Sequence, residues 1–470
     1  MRHLPALRAT WGIALALGLG CSKEASRDES LLSEPEVPTA SRGGLPHRDA
    51  AAVLDAVLAG NAQSLVAAPT LVPPGVPLTP FIEARLYAIA NVAMHDALNA
   101  IRPRFERYAD AGYMDSDANP SAAVLTAAHD AIVGAAPGAA GGTDAWYGTG
   151  MDQLSGAEGL EAGVELGRRA AAAILARRQN DGVAAGGVAP YTPGTSPGDY
   201  QFTPPFDGPP FDIFGTGGFA DASVWAQTVT PFVVSTSAQF RAPPPYGAGS
   251  NAAAVLTPAY TADYQEVAAL GCSGCSARSA EQTEIALFWM ESSPVGWNRI
   301  ARVIANQRQL DAWDTARLFA LLQMGEFDAY TTSADSKYHY AFWRPVSAIA
   351  LALNDGNAAT APVSGWEALA PPTPPVPDYP SAHATAGGAA AAIIEALVPG
   401  RGPAFSTTSG SLPGASRRFA SVADAARENA LSRIYIGYHF RHATAIGLTQ
   451  GRAVGDYVAS SALPALHHSR

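Results

Sequence analysis

Segment after segment of this chain repeats its apolar residues every three or four positions, and none repeats them convincingly every two. "PFIEARLYAIANVAMHDALNAI" from Pro80, "PSAAVLTAAHDAIVGAA" from Pro120 and "GAEGLEAGVELGRRAAAAILARRQNDG" from Gly156 each carry one buried stripe of helical spacing. The same period returns from Thr257 to Gly271, through the long run Ser279–Leu353, and in the two last segments from His383 and Val422. Elements of one kind, each with a single apolar face, must bury those faces against one another. The expected fold class is therefore all-α: two packed four-helix bundles with long Pro/Gly-rich surface loops. The longest such loop, residues 186–218, is too aromatic for a disordered connector and is expected to pack over the body.

With 470 residues, 48% of them hydrophobic, the chain can bury a large core. A net charge of −11 without a long basic run argues against a nucleic-acid partner. Residues 1–20 place basic residues before a short apolar run, the pattern of an export signal, and Cys21 follows directly, as in lipidated bacterial envelope proteins. The expected location is thus outside the cytoplasm: periplasmic, lipid-anchored at Cys21, or secreted. Residues 21–75 read as a tether followed by a short helix near 50–60, and residues 76–470 as a single helical domain. Cys272 and Cys275 are the remaining cysteines; in an exported protein this pair reads as a small disulfide clip. The oligomeric state stays open, a homo-oligomer included.

Three short stretches carry the chemistry. In "SKYHYAFWRP" the spacing puts Lys337 and Arg344 two helical turns apart, so both cations point the same way beside aromatic bulk. In "PDYPSAHATAGG" a helix opens near Ser381. Its first N–H groups lack backbone partners and favour negative charge, Ser381 can donate to an anion instead of capping the helix, and His383 can trade a proton. In "LSRIYIGYHF" Arg433 and His439 would not share an ideal helix face, but Gly437 lets the helix end and His439 swing back. Three cations, a hydroxyl, a helix mouth and two histidines suit a compact tetrahedral oxyanion.

Lys337…Arg344-Pro345, Pro380-Ser381-Ala382-His383 and Ser432-Arg433…Gly437…His439 together resemble the three-part signature of the vanadium-dependent haloperoxidase and type 2 phosphatidic acid phosphatase superfamily. "EQTEIALFWMESSPVGWNRIA" and "AMHDALNAI" are similar to its bacterial haloperoxidase-like branch. The resemblance implies vanadate as cofactor, with phosphate able to occupy the same site. It implies that Lys337, Arg344 and Arg433 neutralise the equatorial oxygens, while Ser381 and the N–H of Ala382 bond them. His439 would be the axial ligand to vanadium and His383 the acid–base group. Hydrogen peroxide and halide would be the substrates, and hypohalous acid the product. A phosphatase with this signature would instead take a phosphate ester, with His439 attacking phosphorus and His383 protonating the leaving alcohol. A non-catalytic oxyanion-binding surface protein is the third alternative.

Two departures stand out. Ala382 replaces the usual Gly, keeping the N–H. Ala443 stands where many relatives, phosphatases especially, have an Asp that orients the third-stretch histidine, so His439 is expected to lack that partner. Val376 occupies a position linked to halide preference and leaves the halide open. His339 and His442 are expected in partnered structural roles, and His95-Asp96 and His129-Asp130 in packing. Glu291 and Asp335 are candidate salt-bridge partners for the pocket arginines.

Overall fold

The computed structural model describes residues 47–72, 78–109, 112–183, 192–206, 228–398 and 404–466. The expected export segment, Cys21 and most of the expected tether lie outside the described residues. Residues from Pro46 onward form one compact unit.

Punctuation in the sequence sets where the helices begin. Pro80 and Pro120 open α2 (Pro80–Ile101) and α3 (Pro120–Ala135), each behind a capping side chain, Thr79 and Asn119. With α1 (His47–Ala67) and α5 (Leu160–Arg178) they make the first bundle. The helix expected near residues 50–60 is thus longer, and it packs on α2 and α3 through the buried Val53 and Val57. A further helix, α4 (Ala140–Asp152), covers a Gly-rich stretch without helical punctuation and packs on α3.

Residues 228–354 begin with a segment of bends and turns and continue through α6 (Asn251–Ala254), α7 (Pro258–Leu270), α8 (Ala280–Phe288), α9 (Ser293–Gln307), α10 (Ala312–Tyr340) and α11 (Pro345–Ala350). The second bundle comprises α10 with α12 (Ala382–Leu397), α13 (Val422–Tyr435) and α14 (Arg441–Ser461). The two bundles meet where α2 lies along α10, with the rings of Phe81 and Phe327 4.6 Å apart. The architecture is mostly helical, as expected. Among the described residues the exception is a two-stranded hairpin, β1 (Phe405–Thr408) with β2 (Ser416–Phe419), pairing Phe405 with Phe419.

Close approach of α12 and α14 holds the second bundle together. A Cβ at Gly451 would lie 1.9 Å from the carbonyl oxygen of Thr385, so only glycine admits this contact. The described part of the aromatic loop, residues 192–206, packs on the body as expected: Tyr200 N–H donates to Ala341 O at 2.7 Å and Trp343 N–H to Gly198 O at 2.8 Å. Cys272 and Cys275 form the expected disulfide.

Candidate active site

Lys337 and Arg344 do not share a helix. The last regular turn of α10 ends at Tyr340, Ala341 takes a left-handed conformation (φ 46°), and Arg344 precedes α11 as its N-cap. The expectation of two turns on one helix is therefore corrected, yet both cations reach the same piece of chain. Lys337 Nζ donates to the carbonyls of Pro377 (2.6 Å) and Asp378 (3.0 Å), and Arg344 Nε donates to that of Val376 (2.7 Å). These bonds fasten residues 376–378, which lead directly into Ser381 and the mouth of α12.

Ser381 is fully buried and caps α12: Ala384 N–H donates to its Oγ, at a long 3.5 Å. An accepting hydroxyl keeps its own hydrogen to give. The N–H of Ala382 belongs to the first turn, where no helical carbonyl can accept it. His383 bonds through Nδ1 with Ser293 Oγ at 3.1 Å and keeps an edge to solvent.

Gly437 acts as expected. Its φ of 86° ends α13, and a Cβ there would strike Gly271 O at 2.4 Å. The turn returns the N–H groups of Tyr438 and His439 to Arg433 O. Arg344 Nη1 donates to Tyr438 O and to His439 Nε2, both at 2.9 Å. An arginine can only donate, so Nε2 is the unprotonated nitrogen and Nδ1 carries the hydrogen. Asp378 Oδ1 lies 2.8 Å from that Nδ1. The expectation that His439 lacks a carboxylate partner is overturned: the fold supplies one from a distant segment instead of from position 443. Asp378 was missed, although it stands inside the quoted second stretch.

The electrostatics show convergence. Burial holds His439 well below its ordinary value, and Arg344, Lys337, Arg433 and His383 all add to the depression. Burial, then Arg433, lowers His383 in the same way. Burial and Arg344 push Lys337 well below the ordinary lysine range, and burial lowers Arg433 to about 10. Asp378, the carboxyl facing these cations, is itself raised by burial to about 7. Positive charge is thus in excess, and Arg433 Nη2 is buried without a hydrogen-bond partner. That orphaned donor, beside Lys337, Arg344, Ser381 and the open N–H of Ala382, fits a tetrahedral oxyanion such as vanadate or phosphate.

Other candidates lie apart. Glu291 pairs with Arg299 and Asp335 with Arg241, so neither partners a pocket arginine, as had been expected. His442 accepts from Tyr246 N–H and stacks on Tyr246 and Tyr379, while His339 meets the ring of Tyr340 edge-on. His95 pairs with Asp96, and His129 with Asp130 and Asp144.

Residues 317–467, which hold all seven site residues, match the family described as the VCPO second helical-bundle domain. The vanadium chloroperoxidase of Curvularia inaequalis is 31% identical over 215 residues, covering 38% of this chain and 33% of that protein. The chain thus spans about a third of that relative's length. A bacterial vanadium-dependent iodoperoxidase superposes with a TM-score of 0.71 at 22% identity, over 88% of this chain and 98% of the other. A holo-type bacterial vanadium-dependent chloroperoxidase gives 0.63 at 16% identity, over 83% and 94%. The fold is that of the bacterial vanadium haloperoxidases, and residues 317–467 match the second helical-bundle domain.

Proposed function

We propose that the chain is a vanadium-dependent haloperoxidase, and the convergence of Lys337, Arg344 and Arg433 on His439 carries that reading. Vanadate, when bound, supplies a fully oxidised Lewis acid that activates hydrogen peroxide toward halide. The three cations, Ser381 and Ala382 N–H would hold its oxygens, and His439 Nε2, which accepts from Arg344 Nη1 here, would be its ligand. Asp378 Oδ1 lies 2.8 Å from Nδ1, and a carboxylate there favours a hydrogen on that nitrogen and leaves Nε2 as the ligand atom. Hypohalous acid formation consumes one proton per turnover. His383, neutral and bonded to Ser293, is the group placed to pass it.

One observation favours a phosphatase as the second reading. The Asp378–His439 contact supplies the orienting carboxylate that an attacking histidine needs. Bromination of a phenolic dye by bromide and peroxide that requires added vanadate supports the haloperoxidase. Hydrolysis of a chromogenic phosphate ester without vanadate, and no bromination, overturns it in favour of the phosphatase. Silence in both assays with the oxyanion still bound leaves the non-catalytic binding protein.

The same proposal places the protein outside the cytoplasm, with a lipid anchor at Cys21. The basic-then-apolar start of the sequence supports export, and so does the Cys272–Cys275 disulfide. Intact mass of membrane-extracted protein tests the anchor.

A further inference from the structure

The turn that carries His439 is gripped from behind by a segment the proposed chemistry does not use. Residues 271–278 join α7 to α8 and contain the Cys272–Cys275 disulfide. Gly271 lies against Gly437: a Cβ on Gly271 would be 2.6 Å from Gly437 Cα, and one on Gly437 would be 3.2 Å from Ala368 Cα. Cys272 pairs with Ala368 in an antiparallel bridge, and Ser273 N–H donates to Glu367 O at 2.9 Å. The N–H of Leu369 serves both sides of the contact, donating to Gly271 O at 2.9 Å and to Ile436 O at 3.1 Å. Tyr438 Oη donates to Ala370 O. The residues on either side of Gly437 are thus tied to residues 367–370, and these in turn to the disulfide loop.

Arg278 is a second tie. Its Nη1 donates to Leu270 O and Cys272 O, each at 2.6 Å, and reaches Tyr435 O at 3.5 Å. Its Nε donates to Thr283 Oγ1 at 3.0 Å, which anchors the guanidinium to α8. Leu270 and Tyr435 are the last residues of α7 and α13, where helices leave carbonyls without helical partners and favour a cation. Arg278 therefore joins the disulfide loop to the helix end from which the His439 turn departs. Ser273 and Gly274 are exposed and both cysteines are half-buried, so a small thiol can reach the S–S bond.

Resting on the oxyanion-site reading, we infer that Arg278 and the loop closed by Cys272–Cys275 position His439, and that opening the disulfide weakens oxyanion binding. The S–S bond restricts residues 272–275, which hold Ala368 on one side and the Arg278 guanidinium on the other. An external dithiol breaks that bond: the dithiol leaves oxidised as its own disulfide, and its two hydrogens pass to the Sγ atoms of Cys272 and Cys275. The freed loop no longer holds the Gly437 turn, and His439 loses its fixed place between Arg344 Nη1 and Asp378 Oδ1. Hydrogen peroxide, a substrate in the proposed reaction, takes both thiol hydrogens, leaves as two waters and re-forms the bond. Arg278 and the disulfide act through the turn and are positioning groups, not catalytic ones.

Equilibrium dialysis of inorganic phosphate against the full chain tests this without any halogenation, and phosphate is the probe because thiols reduce vanadate. Oxidised wild type is compared with dithiol-reduced wild type, with the double variant Cys272→Ser and Cys275→Ser, and with Arg278→Ala. Each of the three is expected to bind phosphate about tenfold more weakly, with an unchanged circular dichroism spectrum. The ¹⁵N NMR signals of the His439 ring should shift in all three, which a role confined to stability would not produce. Arg278→Lys should recover part of the affinity, and peroxide added after removal of the dithiol should restore that of reduced wild type. Reduction of folded wild type carries the test if the double variant does not fold. Undiminished phosphate affinity and unmoved His439 signals in both reduced wild type and Arg278→Ala overturn the brace. No phosphate binding by oxidised wild type overturns the oxyanion-site reading itself, and the inference with it. A phosphate response that persists where vanadate gives no bromination overturns the haloperoxidase alone and leaves the brace standing.

Discussion

The two bundles both bury histidines and charged side chains, but they settle them differently. In the first bundle, His95 faces Asp96, and Asp96 also accepts the N–H groups of Tyr108 (2.9 Å) and Ala109 (2.7 Å). His129 is bracketed by Asp130 and Asp144. In the second bundle the buried Lys337 and Arg344 act on one carboxyl, Asp378, and the buried Arg433 retains an unpaired donor. Charge that is answered from within its own fold serves architecture. Charge left in excess, at the cost that burial imposes, marks a place for something that arrives from outside.

That contrast can be broken most sharply at His439. His439→Ala should abolish turnover, a loss of about a thousandfold or more, while the fold persists because Arg344 Nη1 still bonds Tyr438 O. Steady-state bromination and circular dichroism check this, and wild-type rates would remove His439 from the site.

Paired stability measurements come next. Asp96→Ala strands two half-buried N–H groups and removes the partner of buried His95, and should cost about 2–5 kcal/mol in denaturant unfolding. Arg433→Met removes a cation that has no internal counterpart. It should leave the anion-free protein as stable or more so, by up to about 4 kcal/mol, while binding of the oxyanion is lost. If both substitutions destabilise equally, the distinction between the bundles fails.

Glu83, buried on α2, predicts a pH dependence. Glu83 rises from its ordinary 4.5 to about 7 on folding, so the folded state holds the proton more tightly. Its contribution is complete below pH 4.5 and disappears as pH climbs through 7, a change of about 3 kcal/mol. Chemical unfolding of wild type and Glu83→Gln across that range should show the slope only in the wild type.

Asp378→Asn is a smaller perturbation. It preserves shape but no longer favours the Nδ1–H form of His439, so vanadate affinity should fall about 10–100-fold. Titration calorimetry reads it directly.

These expectations also measure what the sequence discloses. Helix identity was legible because one apolar stripe repeats through α2, α3 and α5, and Pro80 and Pro120 mark where two of them start. α4 was not, because "AGGTDAWYGTGMD" is rich in glycine and buries only Thr143. Gly437 was readable since few residues but glycine tolerate a left-handed helix end. The relation of Lys337 to Arg344 was misread because a non-glycine, Ala341, takes the left-handed turn that ends α10. Asp378 was missed because a partner for His439 was sought four residues along the same segment. The fold brings it from 61 residues upstream, since Lys337 and Arg344 pin residues 376–378 beside the turn. The buried polar face of α10 did leave a trace in "QMGEFDAYTTSADSK", where Gln323, Glu326, Tyr330, Ser333 and Lys337 fall at helical spacing on a face that should have been apolar.

The central claim is that separated stretches of the second bundle build one cationic cup around a tetrahedral oxide. Equilibrium dialysis of orthovanadate against the full chain tests it most directly. The account predicts one vanadate bound per chain, displaced by phosphate and lost in both Arg433→Met and His439→Ala. Failure to saturate, or undiminished binding in both variants, would contradict it.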